Sequence, residues 1–140
     1  IGLYSELARQ HVLEMRDEID KLGLELSDDL MRSFRSTVID SDEEHHRKIL
    51  SSHDFYSLST LRDLLFHVQE HRFSIPQIKK YLDELGLKFC GFENKSIVSD
   101  FKRSNTDPDS LFDLDKWHSY ERIKPYSFAG MYQFWCQKIV

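Results

Sequence analysis

The sequence predicts an α/β fold, rich in helix, in which a small sheet is covered by helices. Three observations predict it. Leu87-Lys-Phe-Cys-Gly-Phe92 is a short run apolar on both faces, as a strand inside layered α/β structure must be. It follows at once on a punctuated helix, with Ser74 as cap, Pro76 in the first turn and Gly86 as stop. Met131 to Val140 sets Tyr132, Phe134 and Cys136 against Met131, Gln133, Trp135 and Gln137, the period-two alternation of a final strand.

Taken in order, Ile1-Gly2-Leu3-Tyr4-Ser5 has no initiator Met and opens on apolar residues, so the chain reads as a fragment that begins inside a strand. Ser5 is a cap for a first helix whose stripe is Ala8, Val12, Met15, Ile19 and Leu22, ended by Gly23. A second helix follows Ser27, with Asp28 and Asp29 at the positive end of its dipole and Leu30, Met31, Phe34 and Val38 inward. Ser41-Asp-Glu-Glu44 fits a capping box for a short third helix to about Leu50. Ser57 to Phe66 is a fourth, with Leu61, Leu64 and Leu65 inward.

Beyond it, Ile75, Ile78, Leu82 and Leu85 form the stripe of the helix capped by Ser74. Asn94 to Asn105 is ambiguous, with a short helix around Ile97, Val98 and Phe101. Asp107-Pro108 starts a further helix through about Arg122, with Leu111, Leu114 and Trp117 inward, and Pro125 closes that segment. Trp117 and Trp135 are both assigned to the core.

Bulk properties exclude several classes. At 140 residues the chain is one domain, short for a complete enzyme with its own cofactor fold. A hydrophobic content of 40% and an aromatic content of 13% belong to a globular chain. The net charge of −5, with no Lys/Arg cluster, argues against a nucleic-acid partner. Cys90 and Cys136 are too few and too far apart for a cysteine zinc site, and both sit in apolar runs, as buried thiols of a reducing cytoplasm do. No apolar run approaches the length of a membrane span.

The stretches IGLYSELAR, DFYSLSTLRDLLFHVQEHRFSIPQI, LKFCGFE and MYQFWCQK resemble segments of bacterial class I S-adenosylmethionine-dependent methyltransferases that carry tetratricopeptide repeats ahead of the catalytic domain. The passage Phe73 to Gly91 is similar to the one in which a Phe-Ser/Thr pair opens a helix ending in Leu-Gly-Leu before the sixth strand of that fold. The resemblance implies the carboxy-terminal half of a Rossmann-like methyltransferase sheet. Ile1–Tyr4 would end strand five, Leu87–Phe92 would be strand six, and Met131–Lys138 the antiparallel strand seven between them, with a helical insertion over residues 6–66 and a closing unit over 67–140. It implies S-adenosylmethionine as the parent enzyme's cofactor and an unidentified methyl acceptor. Residues 27–56 would be a substrate lid or a docking surface.

The donor in such folds is held by a glycine-rich turn and an acidic strand end, and the five glycines here include no G-x-G pair. No cofactor-binding residue is therefore assigned, and the 140 residues are expected to bind no S-adenosylmethionine and to be inactive alone. A second possibility is a non-catalytic binding module, or a homodimer joined through the exposed edge of strand five.

The candidate catalytic group is His67, Glu70 and His71, placed on the acceptor side where ligands meet the carboxyl ends of strands. Polar residues that merely hold a loop are the alternative. The same residues match H-x-x-E-H, the pattern of an inverted zinc peptidase, with Glu84, Glu93 or Glu121 as nominal third ligand. The helix that begins at Ser74 leaves the histidines little helix of their own, so no metal is assigned there. Tyr4, Arg72 and Tyr56 are the candidate acceptor-binding residues, each with a plain structural role as alternative, and Asp54, Tyr56 and Arg62 flank the His67, Glu70 and His71 group. His45 and His46 are adjacent on a helix, point in different directions, and are not expected to share a metal.

Overall fold

The computed structural model describes residues 1–23, 27–66 and 70–140. In chain order the elements are β1 (Gly2–Ser5), α1 (Gln10–Leu22), α2 (Asp28–Ile39), α3 (Glu44–Ile49), a 3₁₀ turn (His53–Tyr56), α4 (Leu58–Phe66), β2 (Arg72–Phe73), α5 (Ile75–Glu84), β3 (Leu87–Phe92), α6 (Lys95–Ser104), a second 3₁₀ turn (Pro108–Phe112), α7 (Leu114–Ile123) and β4 (Tyr132–Lys138). They fall into two compact units. One joins Ile1–Arg9 to His71–Val140, and the other is Gln10–Glu70. The bounds of the second, 10 and 70, lie a few residues beyond the 6 and 66 expected for the helical insertion.

The first unit is a four-stranded mixed sheet, in the order β2-β1-β4-β3, with its helices. β4 is antiparallel to both neighbours, with Leu3 opposite Tyr132 and Phe92 opposite Phe134. β1 and β3 therefore point the same way, and their carboxyl ends meet the start of β4. β2 runs parallel to β1, with Tyr4 opposite Arg72 and Ser5 opposite Phe73, and the Glu6 amide donates to the Phe73 carbonyl at 2.9 Å. A bulge between Phe89 and Gly91 interrupts the β3–β4 ladder, and Gly91 takes a φ of 116° there that a side chain would strain.

The core of this unit is aromatic. Phe92, Phe101, Trp117, Phe128, Tyr132 and Phe134 are buried with Ile75, Ile78 and Leu82 of α5. Phe101 stacks on Trp117 at 3.7 Å, and the Trp117 indole N–H donates to the Leu111 carbonyl at 2.9 Å. Each such side chain contributes about 2–3 kcal/mol on burial, so this cluster is the main support of the sheet. α5 is fixed at both ends. Ser74 and Gln77 form a reciprocal capping box, and Gly86 accepts the left-handed φ of 63° that ends it.

Among its described residues the second unit has helices and no strand. Val12, Met15 and Ile19 of α1 pack with Met31, Phe34 and Val38 of α2, Ile49 of α3, Phe55, and Leu61, Leu64 and Leu65 of α4. Ser27 caps α2 through the Leu30 amide.

Several expectations are corrected. Residues 107–122 form a 3₁₀ turn and a separate helix, because Asp113 is extended and its carboxylate accepts from the Asp115 and Lys116 amides, a stronger start than Asp107 offers. Ser41 makes no capping box; Glu43 precedes α3 with no side-chain cap, and the Ser41 hydroxyl accepts from the Glu43 amide instead. Ser5 does not start α1. Its hydroxyl accepts from Ala8 in a turn, and the helix begins at Gln10. Asn94 to Asn105 resolves into α6, with the Asn94 side chain accepting from Ser96 and Ile97.

Leu22, Leu30 and Leu85 are exposed at helix ends, and Cys90 and Cys136 are only half-buried. Trp135 is 64% exposed because it lies on the outer face of β4, opposite in phase to the buried Tyr132 and Phe134. The outer edge of β1, expected to be open for pairing with another chain, is taken by β2. Among the described residues no helix is long and apolar enough to cross a membrane.

Candidate functional site

The carboxyl end of β1 is where this sheet gathers its polar chemistry. Ser5 ends β1, Tyr132 begins β4, and Glu121 sits on α7 in line with Leu114 and Trp117. That face of α7 points into the core, so Glu121 is carried inside and is fully buried, as are Ser5 and Tyr132.

The Ser5 hydroxyl donates to Glu121 Oε1 at 2.6 Å. The Tyr132 hydroxyl reaches both carboxylate oxygens, at 2.7 and 2.8 Å. Burial pushes the Glu121 carboxyl above its ordinary value, and the hydrogen bonds from Ser5 and Tyr132 and the charge of His118 only partly offset this. Burial, with Glu121 beside it, also raises Tyr132. The Ala8 amide donates to Ser5 Oγ at 3.1 Å, which ties the turn after β1 into the same network.

A carboxylate sealed this completely cannot touch an acceptor. It locks β1, α7 and β4 together and fixes what stands at the surface of that edge. There Tyr4 and Arg72 are half-buried partners across β1 and β2, and the Arg9 guanidinium lies 4.6 Å from the centre of the Tyr4 ring. His71, exposed, immediately precedes β2. The arrangement offers an aromatic ring and guanidinium groups on one edge, with His71 the residue before β2 in the chain.

The predicted residues divide accordingly. Tyr4 and Arg72 are brought together, with His71 adjacent in the chain. His67 lies outside the described residues. Glu70 belongs to the helical unit, where its nearly buried carboxylate pairs with Arg16 at 3.0 Å. Arg16 also donates from Nε and Nη2 to the Leu64 carbonyl, so the pair secures the chain as it leaves α4.

Tyr56 too is in the helical unit, where its hydroxyl donates to the Leu50 carbonyl, and Arg62 pairs with Asp28. The zinc-peptidase pattern finds no helix at Glu70 or His71, and His67 lies outside the described residues. Glu121, in the sequence only a nominal zinc ligand, is the residue that was missed. Its signal is a carboxylate in the apolar stripe of α7, four residues after Trp117 and seven after Leu114.

In the helical unit a different group converges. Glu18 of α1 receives both His45 and His46 of α3, although adjacent helical residues diverge at Cβ. The carboxylate projects from the neighbouring helix, so both rings can turn toward it.

Compared with models of protein families, and with curated proteins, the chain matches none.

Proposed function

We propose that this chain is the acceptor-side, carboxy-terminal part of an S-adenosylmethionine-dependent methyltransferase, and that the donor is held by sequence outside these 140 residues. The observation that carries the reading is the strand order β1-β4-β3 with β4 antiparallel between two strands that run together. It is the order in which strands five, seven and six close the sheet of that fold. The polar edge at the carboxyl end of β1 supports it further, since ligands of open α/β sheets meet the carboxyl ends of strands.

On this reading Tyr4 and Arg72 form a wall of the acceptor site and position the incoming nucleophile, the contribution on which methyl transfer most depends. His71 is the group able to take the acceptor's proton as the methyl passes from sulfonium to nucleophile. Glu70 has no acid–base part, because Arg16 holds its carboxylate in the helical unit. Ser5, Glu121 and Tyr132 keep the edge rigid from behind.

The test compares two proteins, the 140-residue chain and the longest gene product that contains it. Calorimetric titration with S-adenosylmethionine is expected to show no binding to the first and micromolar binding to the second. Transfer of labelled methyl from the donor should then fall on His71→Ala in the longer protein. A longer product that does not bind the donor refutes the proposal.

A further inference from the structure

Glu18, His45 and His46 present three donor atoms that all lie within 4.8 Å of one another. His45 Nε2 is 3.1 Å from Glu18 Oε2, and His46 Nε2 is 2.6 Å from the same oxygen. The two imidazole rings are 4.2 Å apart and tilted by 59°, so their Nε2 atoms aim at one point without stacking. From these contacts we infer a binding site for one divalent cation of the zinc class, with His45 Nε2, His46 Nε2 and a Glu18 oxygen as ligands. It is independent of the methyltransferase reading, because it lies wholly in the helical unit.

The donor set suits such an ion. Imidazole nitrogen with one carboxylate is the composition of three-ligand zinc sites, which leave a fourth position to water. Two ligands at about 2.1 Å from a tetrahedral ion stand about 3.4 Å apart, so the His45–Glu18 spacing needs almost no change. The His46–Glu18 contact opens by a rotation of the glutamate side chain. Glu18 is 31% and His45 20% exposed on their side chains, which leaves a path for the ion and room for a water ligand.

A second, independent observation comes from Glu14. Its Oε2 lies 3.7 Å from His45 Nδ1, one helical turn before Glu18 on α1. That carboxylate adds negative charge beside the His45 ring, at ion-pair range and beyond hydrogen-bonding distance, and so favours a cation at this point. At 3.1 and 2.6 Å from one carboxylate oxygen the two Nε2 atoms stand as N–H donors in the metal-free protein, and the ion takes the place of those protons. Neither Glu14 nor Glu18 pairs with Lys or Arg among the described residues, so the local negative charge has only the two histidines to meet it. His46 sets the limit on affinity. Its buried Nδ1 has no hydrogen-bond partner, so the ligating tautomer strands an N–H, and micromolar binding is expected rather than tighter.

The experiment titrates zinc chloride into tag-free, chelator-stripped protein at neutral pH against a chromophoric competitor. One zinc per chain is expected, with a rise in the midpoint of thermal unfolding of the helical unit. His45→Ala and Glu18→Gln should each weaken binding more than about 100-fold, beyond the loss typical of an outer-shell change, and Glu14→Gln about 10-fold. Lys48→Ala, at a half-buried side chain of α3 that pairs with Glu44, should leave it unchanged. Far-UV circular dichroism of each metal-free variant shows whether it is folded, and Glu14→Gln, at a 60% exposed side chain, serves where a ligand variant is not. No saturable zinc uptake, or uptake unaltered in the folded variants, overturns the site.

Discussion

Tyr132→Phe removes one oxygen atom from a sealed network and so measures what that network contributes. The phenol reaches both oxygens of Glu121, and without it the Ser5 hydroxyl, on Oε1, is the hydroxyl donor left to the carboxylate. A hydrogen bond to a charged group is worth about 1.5–3 kcal/mol, and the buried acceptor left behind cannot turn to water. The ring of Tyr132 stays in place against Phe92 and Phe128, so little packing is lost. The expected destabilisation at neutral pH is about 2–3 kcal/mol, a large fraction of the roughly 5–15 kcal/mol by which native proteins are stable. Both tryptophans, Trp117 and Trp135, belong to the sheet unit, so urea unfolding followed by tryptophan fluorescence reports that unit alone.

The pH dependence has a definite sign. Folding raises the Glu121 carboxyl, so as pH climbs the unfolded chain releases this proton first. Glu121 therefore favours the folded state most below the ordinary glutamate value, near pH 4.3. The advantage falls by at most about 1.4 kcal/mol per pH unit until the folded carboxyl has also ionised, and is level thereafter. Glu121→Gln, which cannot ionise but can still accept from Ser5, should remove that slope. A Tyr132→Phe loss below about 0.5 kcal/mol, or a slope that survives in Glu121→Gln, would refute the reasoning.

Other positions give sharper, smaller effects. Ser74→Ala removes one half of the capping box on α5 and should cost about 1 kcal/mol, read as a fall in urea midpoint without a change in slope. Gly86→Ala meets no atom within 4 Å, so its expected cost of about 1 kcal/mol comes from the φ of 63° alone; an equal cost for Gly130→Ala, where φ is not positive, would contradict this. Arg16→Ala leaves Glu70 buried without its guanidinium and frees the Leu64 carbonyl. It should cost about 3 kcal/mol by circular dichroism of the helical unit, with Arg16→Lys recovering only part.

Local signals in the sequence carried most of the elements. Ser74, Pro76 and Gly86 marked α5 because a cap, a proline and a left-handed glycine act within a few residues of themselves. The alternation in β4 gave its buried face, yet Trp135 was assigned by size when its phase already placed it with Gln133 outside. β2 was invisible because two residues, Arg72 and Phe73, have no period. They are a strand only because β1 lies beside them. The split at Asp113 was missed for a different reason: Asp107-Pro108 and Asp113 both offer helix starts, and the sequence does not rank two caps six residues apart.

The candidate sites were harder to read for a physical reason that also explains why they hold. Ser5 and Glu121 are 116 residues apart, and Glu18 and His46 are 28 apart, so neither group has a spacing that a motif could record. H-x-x-E-H has a motif's spacing without its helix at Glu70 and His71, and Arg16 claims the glutamate. Long-range polar contacts depend on how the apolar stripes pack, and a carboxylate is buried only where that packing delivers donors to it. Glu121 satisfies the condition because α7 faces the core at Leu114 and Trp117, and Tyr132 begins the strand beneath. The useful sign in a sequence like this one is therefore a charge inside an apolar stripe. At Glu121 that sign was present, and it pointed to the residue on which the edge carrying Tyr4 and Arg72 depends.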